Sequence, residues 1–176
     1  IYCSWRDITE RKAAERAVQL YATVFHTSGE GIVICDAENR IVAVNEALSR
    51  LTGYSAEELI GHNPRVLAAG RTAPEVYVGM WQALDRDRHW QGELWDRRKD
   101  GSVFANWASL SVSTDADGRV LNYIGSFRDI SERKEAEARI DWLAHHDALT
   151  GLLNRHGLDQ RLQQAIAAAR REMQSL

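Results

Sequence analysis

Between Gly31 and Val44 the chain carries two apolar runs, Ile32-Val33-Ile34-Cys35 and Ile41-Val42-Ala43-Val44, separated by the polar stretch Asp36-Ala37-Glu38-Asn39-Arg40. Short apolar runs bounded by turn residues predict buried strands joined by a tight turn. Asn45 then opens a short helix containing Ala47, Leu48 and Leu51, Gly53 stops it, and Ser55-Ala56-Glu57-Glu58-Leu59 is a capping box that opens another. Gly61 to Leu67 reads as compact and irregular. Thr72-Ala73-Pro74-Glu75 starts a longer helix whose apolar face is Val76, Met80, Ala83 and Leu84. Trp90 to Arg98, Ser102 to Ser113 and Arg119 to Asp129 predict three strands, joined as hairpins by Lys99-Asp100-Gly101-Ser102 and Thr114-Asp115-Ala116-Asp117-Gly118. Two strands, a set of small helices and three strands make one sheet with helices on a single face, an α+β fold.

Helical spacing frames this block on both sides. From Asp7 to about His26, Ala14, Val18, Tyr21 and Phe25 form one apolar strip and Ala13, Ala17 and Val24 a second. Such a helix can touch both its own domain and a partner helix, which predicts a homodimer. After Asp129, the strip Ala136, Ile140, Leu143 and Ala144 lies on an otherwise charged segment. Ser131 can cap its start, and Glu132, Glu135 and Glu137 lie toward the positive end of the helix dipole. This helix predicts a signalling linker with Asp129, Ile130, Ile140 and Leu143 as its key positions. The junction occurs twice: Asp7-Ile8-Thr9-Glu10-Arg11-Lys12 matches Asp129-Ile130-Ser131-Glu132-Arg133-Lys134, with Asp7 and Asp129 lying 122 residues apart. A repeat of that period predicts a tandem array of domains.

Alternation along the middle hairpin strand puts Phe104, Asn106, Ala108, Leu110 and Val112 on the core face and Val103, Ala105, Trp107 and Ser109 on the other. Asn106 is the polar exception, and a buried amide without partners costs on the order of 1–3 kcal/mol. The Asp100-Gly101 turn brings Asp96 roughly across the ladder from it, on the same face. Two polar groups inside an apolar cup can hydrogen-bond a ligand, or satisfy each other or a buried water. Trp81, Trp90, Trp95 and Trp107 offer stacking surface or core filling. Trp95 and Trp107, on the outer face of the sheet, predict a surface for a flanking helix or second subunit. No Ser/His/Asp arrangement or phosphate-cradling glycine loop is present, and His145 and His146, as helix neighbours, point to different sides with no metal ligand at the right spacing.

Composition narrows the classes. The 176 residues are 44% hydrophobic, enough for a real core, and a net charge of −3 with interspersed signs disfavours nucleic acid as a partner. Cys3 and Cys35 form neither a disulfide framework nor a zinc pair, and no apolar run approaches the roughly 20 residues that span a membrane. The expectation is a cytoplasmic location, with no membrane contact in these residues.

At this point the chain resembles a known family. The blocks IVICDAENRIVAVNEALSRLTGYSAEELIG, WQGELWDRRKDGSVF and YIGSFRDISERK resemble those of PAS sensory domains. The resemblance implies a five-stranded antiparallel sheet cupping a ligand pocket against short helices. It also implies that residues 1–12 are the tail of a preceding PAS domain and its connector, 13–26 an N-terminal flanking helix, 27–129 the PAS domain and 130–146 a signalling helix. Asp147-Ala148-Leu149-Thr150-Gly151-Leu152-Leu153-Asn154-Arg155 is similar to the opening of a GGDEF diguanylate cyclase domain, so 147–176 are expected to be its first residues. The metal-binding aspartates of such an enzyme are not in this sequence, so no cyclase activity is expected of it, although its parent protein would have one.

Gly61-His62-Asn63-Pro64-Arg65-Val66-Leu67 is similar to the flavin-contacting segment of light-oxygen-voltage and FAD-binding redox-sensor PAS domains. The resemblance implies that Arg65 would hold a flavin phosphate and Asn106 would bond the ring of FAD or FMN. Pro64 stands where the photoreactive cysteine would be, Asp96 replaces a second amide and Phe127 replaces a glutamine. The stretch Thr72 to Trp81 is similar to redox FAD sensors, whereas the helix from about Pro74 to Arg86 lacks the histidine of haem PAS domains. The candidate pocket is therefore Asn63, Arg65, Trp81, Asp96, Asn106 and Phe127. The function expected is a regulatory module in a cyclic-di-GMP signalling protein, acting on a linked cyclase through a dimeric helical linker. The alternative is a ligand-free dimerisation spacer.

Overall fold

The computed structural model describes residues 9–173 and divides into two units, the first ending at Ile130 and the second beginning at Ser131. The first runs α1 (Thr9–Thr27), β1 (Gly31–Cys35), β2 (Ile41–Val44), α2 (Glu46–Thr52), α3 (Ala56–Leu59), a 3-10 turn (Pro64–Leu67), α4 (Pro74–Asp87), β3 (His89–Arg97), β4 (Val103–Thr114) and β5 (Val120–Asp129). The strands form one antiparallel sheet in the order β2-β1-β5-β4-β3. This is the expected α+β architecture. The segment expected to be irregular closes into the 3-10 turn, because Asn63 accepts the Arg65 amide at 3.0 Å and Pro64 presets the first backbone angle. Residues 1–8 of the expected preceding-domain tail lie outside the described residues, and α1 runs across the expected boundary at residue 12.

Local chemistry explains each closure. Asn45 accepts the Leu48 amide at 2.9 Å as the cap of α2, and Ser55 with Glu58 forms the capping box of α3. Gly101 takes φ 88° in the β3–β4 hairpin, where Asp100 Oδ1 accepts the Ser102 amide at 2.9 Å. Asn45 also accepts the Ile32 amide at 2.8 Å and donates to the Phe25 carbonyl at 3.1 Å and the Glu30 carbonyl at 2.9 Å. One buried side chain thus ties the end of α1 to β1 and α2, a role that its position as the cap following Ile41–Val44 did not reveal.

The core lies between the sheet and α2–α4, where Val33, Ile41, Leu48, Leu59, Leu67, Leu94, Ala108 and Phe127 pack together. Both sheet edges are closed. The Ile41 amide donates to the His62 carbonyl at 2.9 Å along β2, and along β3 the Ala69 amide donates to the Trp95 carbonyl at 3.0 Å while the Trp95 amide donates to Thr72 Oγ1 at 2.8 Å. Closed edges resist pairing with foreign strands. No helix among the described residues is long and apolar enough to cross a membrane.

The second unit consists of α5 (Ser131–His145) and α6 (Arg155–Met173) with a tight connection between them. Asn154 serves both helices: its Nδ2 donates to the Ala144 carbonyl at 3.0 Å, and its Oδ1 accepts the Gly157 amide at 2.9 Å. Asp147 Oδ1 accepts the Thr150 amide at 2.9 Å and its hydroxyl at 2.8 Å. Those bonds hold the Asp147 carboxyl below its usual range. Gly157 has to be glycine here, since a Cβ would collide with the His145 carbonyl oxygen.

Candidate functional site

Asp96 and Asn106 meet on the inner face of the sheet. Leu94 lies directly across from Asn106 and Asp96 across from Phe104, so Asp96 is the diagonal neighbour of Asn106, two residues from direct pairing. Diagonal neighbours on one face are still within reach of their side chains. Asn106 Nδ2 donates to Asp96 Oδ2 at 2.7 Å, and Asn106 Oδ1 accepts the backbone amide of Arg128 on β5 at 3.1 Å. Asn106 is 0% exposed and Asp96 7%. Burial pushes the Asp96 carboxyl up to about 6, against the opposing pull of the Asn106 hydrogen bond. Among the described residues no buried side-chain nitrogen or oxygen lacks a hydrogen-bond partner, so in this structure the two side chains satisfy each other.

The other candidate positions divide. Phe127 is buried in the core beside Ala108 across the β4–β5 ladder. Trp81 is substantially exposed on α4 and stands edge-on to Tyr123 with ring centroids 5.6 Å apart. Asn63 is exposed and spends its amide on the 3-10 turn and on the Asn39 carbonyl, and Arg65 is exposed. The structure therefore brings Asp96, Asn106 and Phe127 to the inner face and leaves Asn63, Arg65 and Trp81 at the surface. On the outer face Trp95 is half-buried under the Arg71 guanidinium, 4.2 Å from its ring, and Trp107 is half-buried. Burial pushes the Cys35 thiol up to about 11, which leaves it protonated and unreactive.

The end of β5 is anchored more heavily than its sequence suggested. Arg98 Nη2 donates to Asp129 Oδ2 at 2.5 Å, Arg98 Nη1 donates to the Leu51 carbonyl at 3.2 Å, and the guanidinium lies 4.1 Å from the centre of the Phe104 ring. One side chain thereby links α2, the inner face and the last residue of β5. Sequence reasoning missed it because its partners are 47 and 31 positions away. Ile130 is 6% exposed and its amide donates to the Ala105 carbonyl at 2.9 Å, so it belongs to the sheet and not to the helix that follows. On α5 no residue is buried, and Ile140 and Leu143 are exposed.

His146 stacks on Trp142 with centroids 4.8 Å apart, while His145 faces His156 at 5.7 Å. Among the described residues no group of three His, Cys, Asp or Glu side chains could hold a metal ion.

A PAS domain model matches residues 29–132, which is the whole sheet with α2–α4 and the first two residues of α5. The chain belongs to the PAS domain family. The chain is 33% identical over 121 residues to a nitrogen fixation regulatory protein of Klebsiella oxytoca, covering 69% of this chain and 24% of that protein. It is 30% identical over 133 residues to a blue-light-activated histidine kinase of Rhizobium johnstonii, covering 74% of this chain and 39% of the kinase. A solved light-oxygen-voltage domain, studied with a flavin analogue, superposes with a TM-score of 0.57 at 30% identity, covering 73% of this chain and 92% of that one. The chain thus spans well under half the length of these two curated relatives, a nitrogen fixation regulatory protein and a histidine kinase.

Proposed function

We propose that this PAS domain is the regulatory module of a multidomain cyclic-di-GMP signalling protein. Its internal state sets the pairing of α5 and its partner-subunit copy, and through that pairing the approach of two linked diguanylate cyclase domains. One observation carries the reading: β5 ends at Asp129 and α5 begins at Ser131, so only Ile130 separates the strand that Asn106 holds from the helix that leaves the domain. A one-residue connection transmits displacement with little slack, and control by a small change in helix pairing follows a known repertoire. The exposed apolar strip of α5 supplies the pairing surface, with Ile140 at its centre. Residues 147–176 would then be the first of the cyclase domain, with the Asp147 and Asn154 connection setting the angle at which it follows.

The test is Ile140→Asp, which puts a charge into the seam without touching the PAS core. The expected result is a mass in light scattering that falls from dimer to monomer at micromolar concentration. A dimer of unchanged affinity would overturn the paired-helix reading and leave the spacer reading with the remaining contacts of α1 and the outer sheet face.

A flavin, FAD or FMN, in the cup is the second reading, favoured by the 30% identity to a light-oxygen-voltage domain. It requires Asn106 to exchange Asp96 for the ring, and Arg65 to turn inward to a phosphate. As folded, the closed amide–carboxylate pair and the packed Leu67, Leu94 and Phe127 do not fit a ring system. The absorption of the purified protein from about 300 to about 600 nm is accordingly expected to be featureless. Blue-region bands lost on reduction would establish the flavin instead.

A further inference from the structure

We propose that the domain senses protons: the protonation state of Asp96 sets how firmly Asn106 holds the Arg128 amide of β5, at the root of α5. The inference rests on the reading of α5 as the output and names the signal for it.

The geometry is that of an amide locked between two unlike partners. Asn106 turns its Nδ2 to Asp96 and its Oδ1 to the Arg128 N–H. An ionised carboxylate only accepts, so it tolerates only Nδ2 facing it, and that leaves Oδ1 for Arg128. A protonated carboxyl both donates and accepts, so it is equally satisfied by the inverted amide. Inversion would set Nδ2 against the Arg128 N–H, donor to donor, and break the side-chain bridge from β4 to β5. Charge on Asp96 therefore enforces this orientation from one side, and its loss leaves the Arg128 N–H alone to hold it, which loosens the bridge. Because Arg128 precedes Asp129 and Ile130, the bridge acts two residues before the strand gives way to α5.

Among the described residues no other charge acts on this carboxyl. On β3, Arg97 spends its guanidinium on the Ala69 carbonyl and Arg98 on Asp129 and Leu51. On β4 the neighbours are Phe104 and Asn106, and from the 3-10 turn and the segment after it come Leu67, Ala68 and Ala69, with Arg65 exposed. On β5, Arg128 pairs with Glu30 and Asp129 with Arg98. Burial raises this carboxyl against the opposing pull of the Asn106 bond, so its occupancy follows the surrounding pH and not a salt bridge. With the carboxyl near 6, both states are populated close to neutrality.

The experiment follows the Asp96 carboxyl carbon and the Arg128 backbone amide of the full chain by NMR from about pH 4 to about pH 8. The two are expected to move with one midpoint, and the Arg128 amide is expected to stay flat in Asp96→Asn. An Arg128 amide that is flat in the wild type, or that titrates unchanged in Asp96→Asn, overturns the proposal. Should Asp96→Asn not fold, the wild-type midpoints decide: a difference of more than about half a pH unit overturns it as well. If Ile140→Cys forms no disulfide-linked dimer at any pH, the output reading fails, whereas co-titration of Asp96 and Arg128 still supports the proton switch.

Discussion

Asn106→Leu is expected to destabilise the domain by about 3–5 kcal/mol near pH 7.5, because it strips a buried carboxylate of its donor and leaves the Arg128 amide without its side-chain acceptor. Leucine has the branching and heavy-atom count of asparagine and is no smaller, so the loss is not a cavity effect. Against a total stability of about 5–15 kcal/mol for a domain, that is a large fraction. Urea denaturation gives the number, and pH gives the cause. Near pH 4, where Asp96 is neutral in both proteins, the deficit is expected to shrink to about 1–3 kcal/mol, the cost of unpaired neutral groups. A deficit below about 1 kcal/mol at both pH values would mean that the pair carries no structural weight and that the amide is free for a ligand. The same substitution tests a pocket: bound ligand retained by Asn106→Leu would remove Asn106 from any binding role.

Patterning made the sheet and its small helices legible. Strands β1 and β2, the capping box at Ser55, the glycine stop at Gly53 and the two hairpins all announce themselves through residues three or four positions apart. Alternation likewise placed Asn106 and Asp96 on one face, and an offset of two residues makes them diagonal rather than direct partners without changing which face either occupies. What stayed hidden was the traffic between distant segments. Arg98 reads as an ordinary charge at the end of a strand, and only the fold brings Asp129 and the Leu51 carbonyl to it. Asn45 looks like a cap and turns out also to hold α1 to β1. The flavin segment illustrates the opposite limit: Asn63 and Arg65 match a motif, but the local Asx cap and exposure that the structure gives them follow from the 3-10 turn alone.

Asp96→Asn is expected to remove a pH dependence that the wild type carries in its stability. The folded carboxyl, at about 6, lies above its ordinary value of 3.8. The neutral form is therefore the one the fold favours, and its contribution is complete below about pH 4 and lost as pH rises through about 6. A displacement of that size corresponds to about 3 kcal/mol, on the order of which the wild type forfeits between acid and neutral pH. Asparagine keeps an acceptor for Asn106 Nδ2 and never ionises. Every other group titrates alike in the two proteins, so subtracting their urea-derived stabilities at each pH isolates Asp96. The variant's stability relative to the wild type is expected to rise by about 2–3 kcal/mol between about pH 4 and about pH 7.5. A difference that does not change with pH would show that the carboxyl is not desolvated in the folded chain. The proton switch would then lose the group on which it depends, and the Asn106 amide would be held by an ordinary, permanently ionised aspartate.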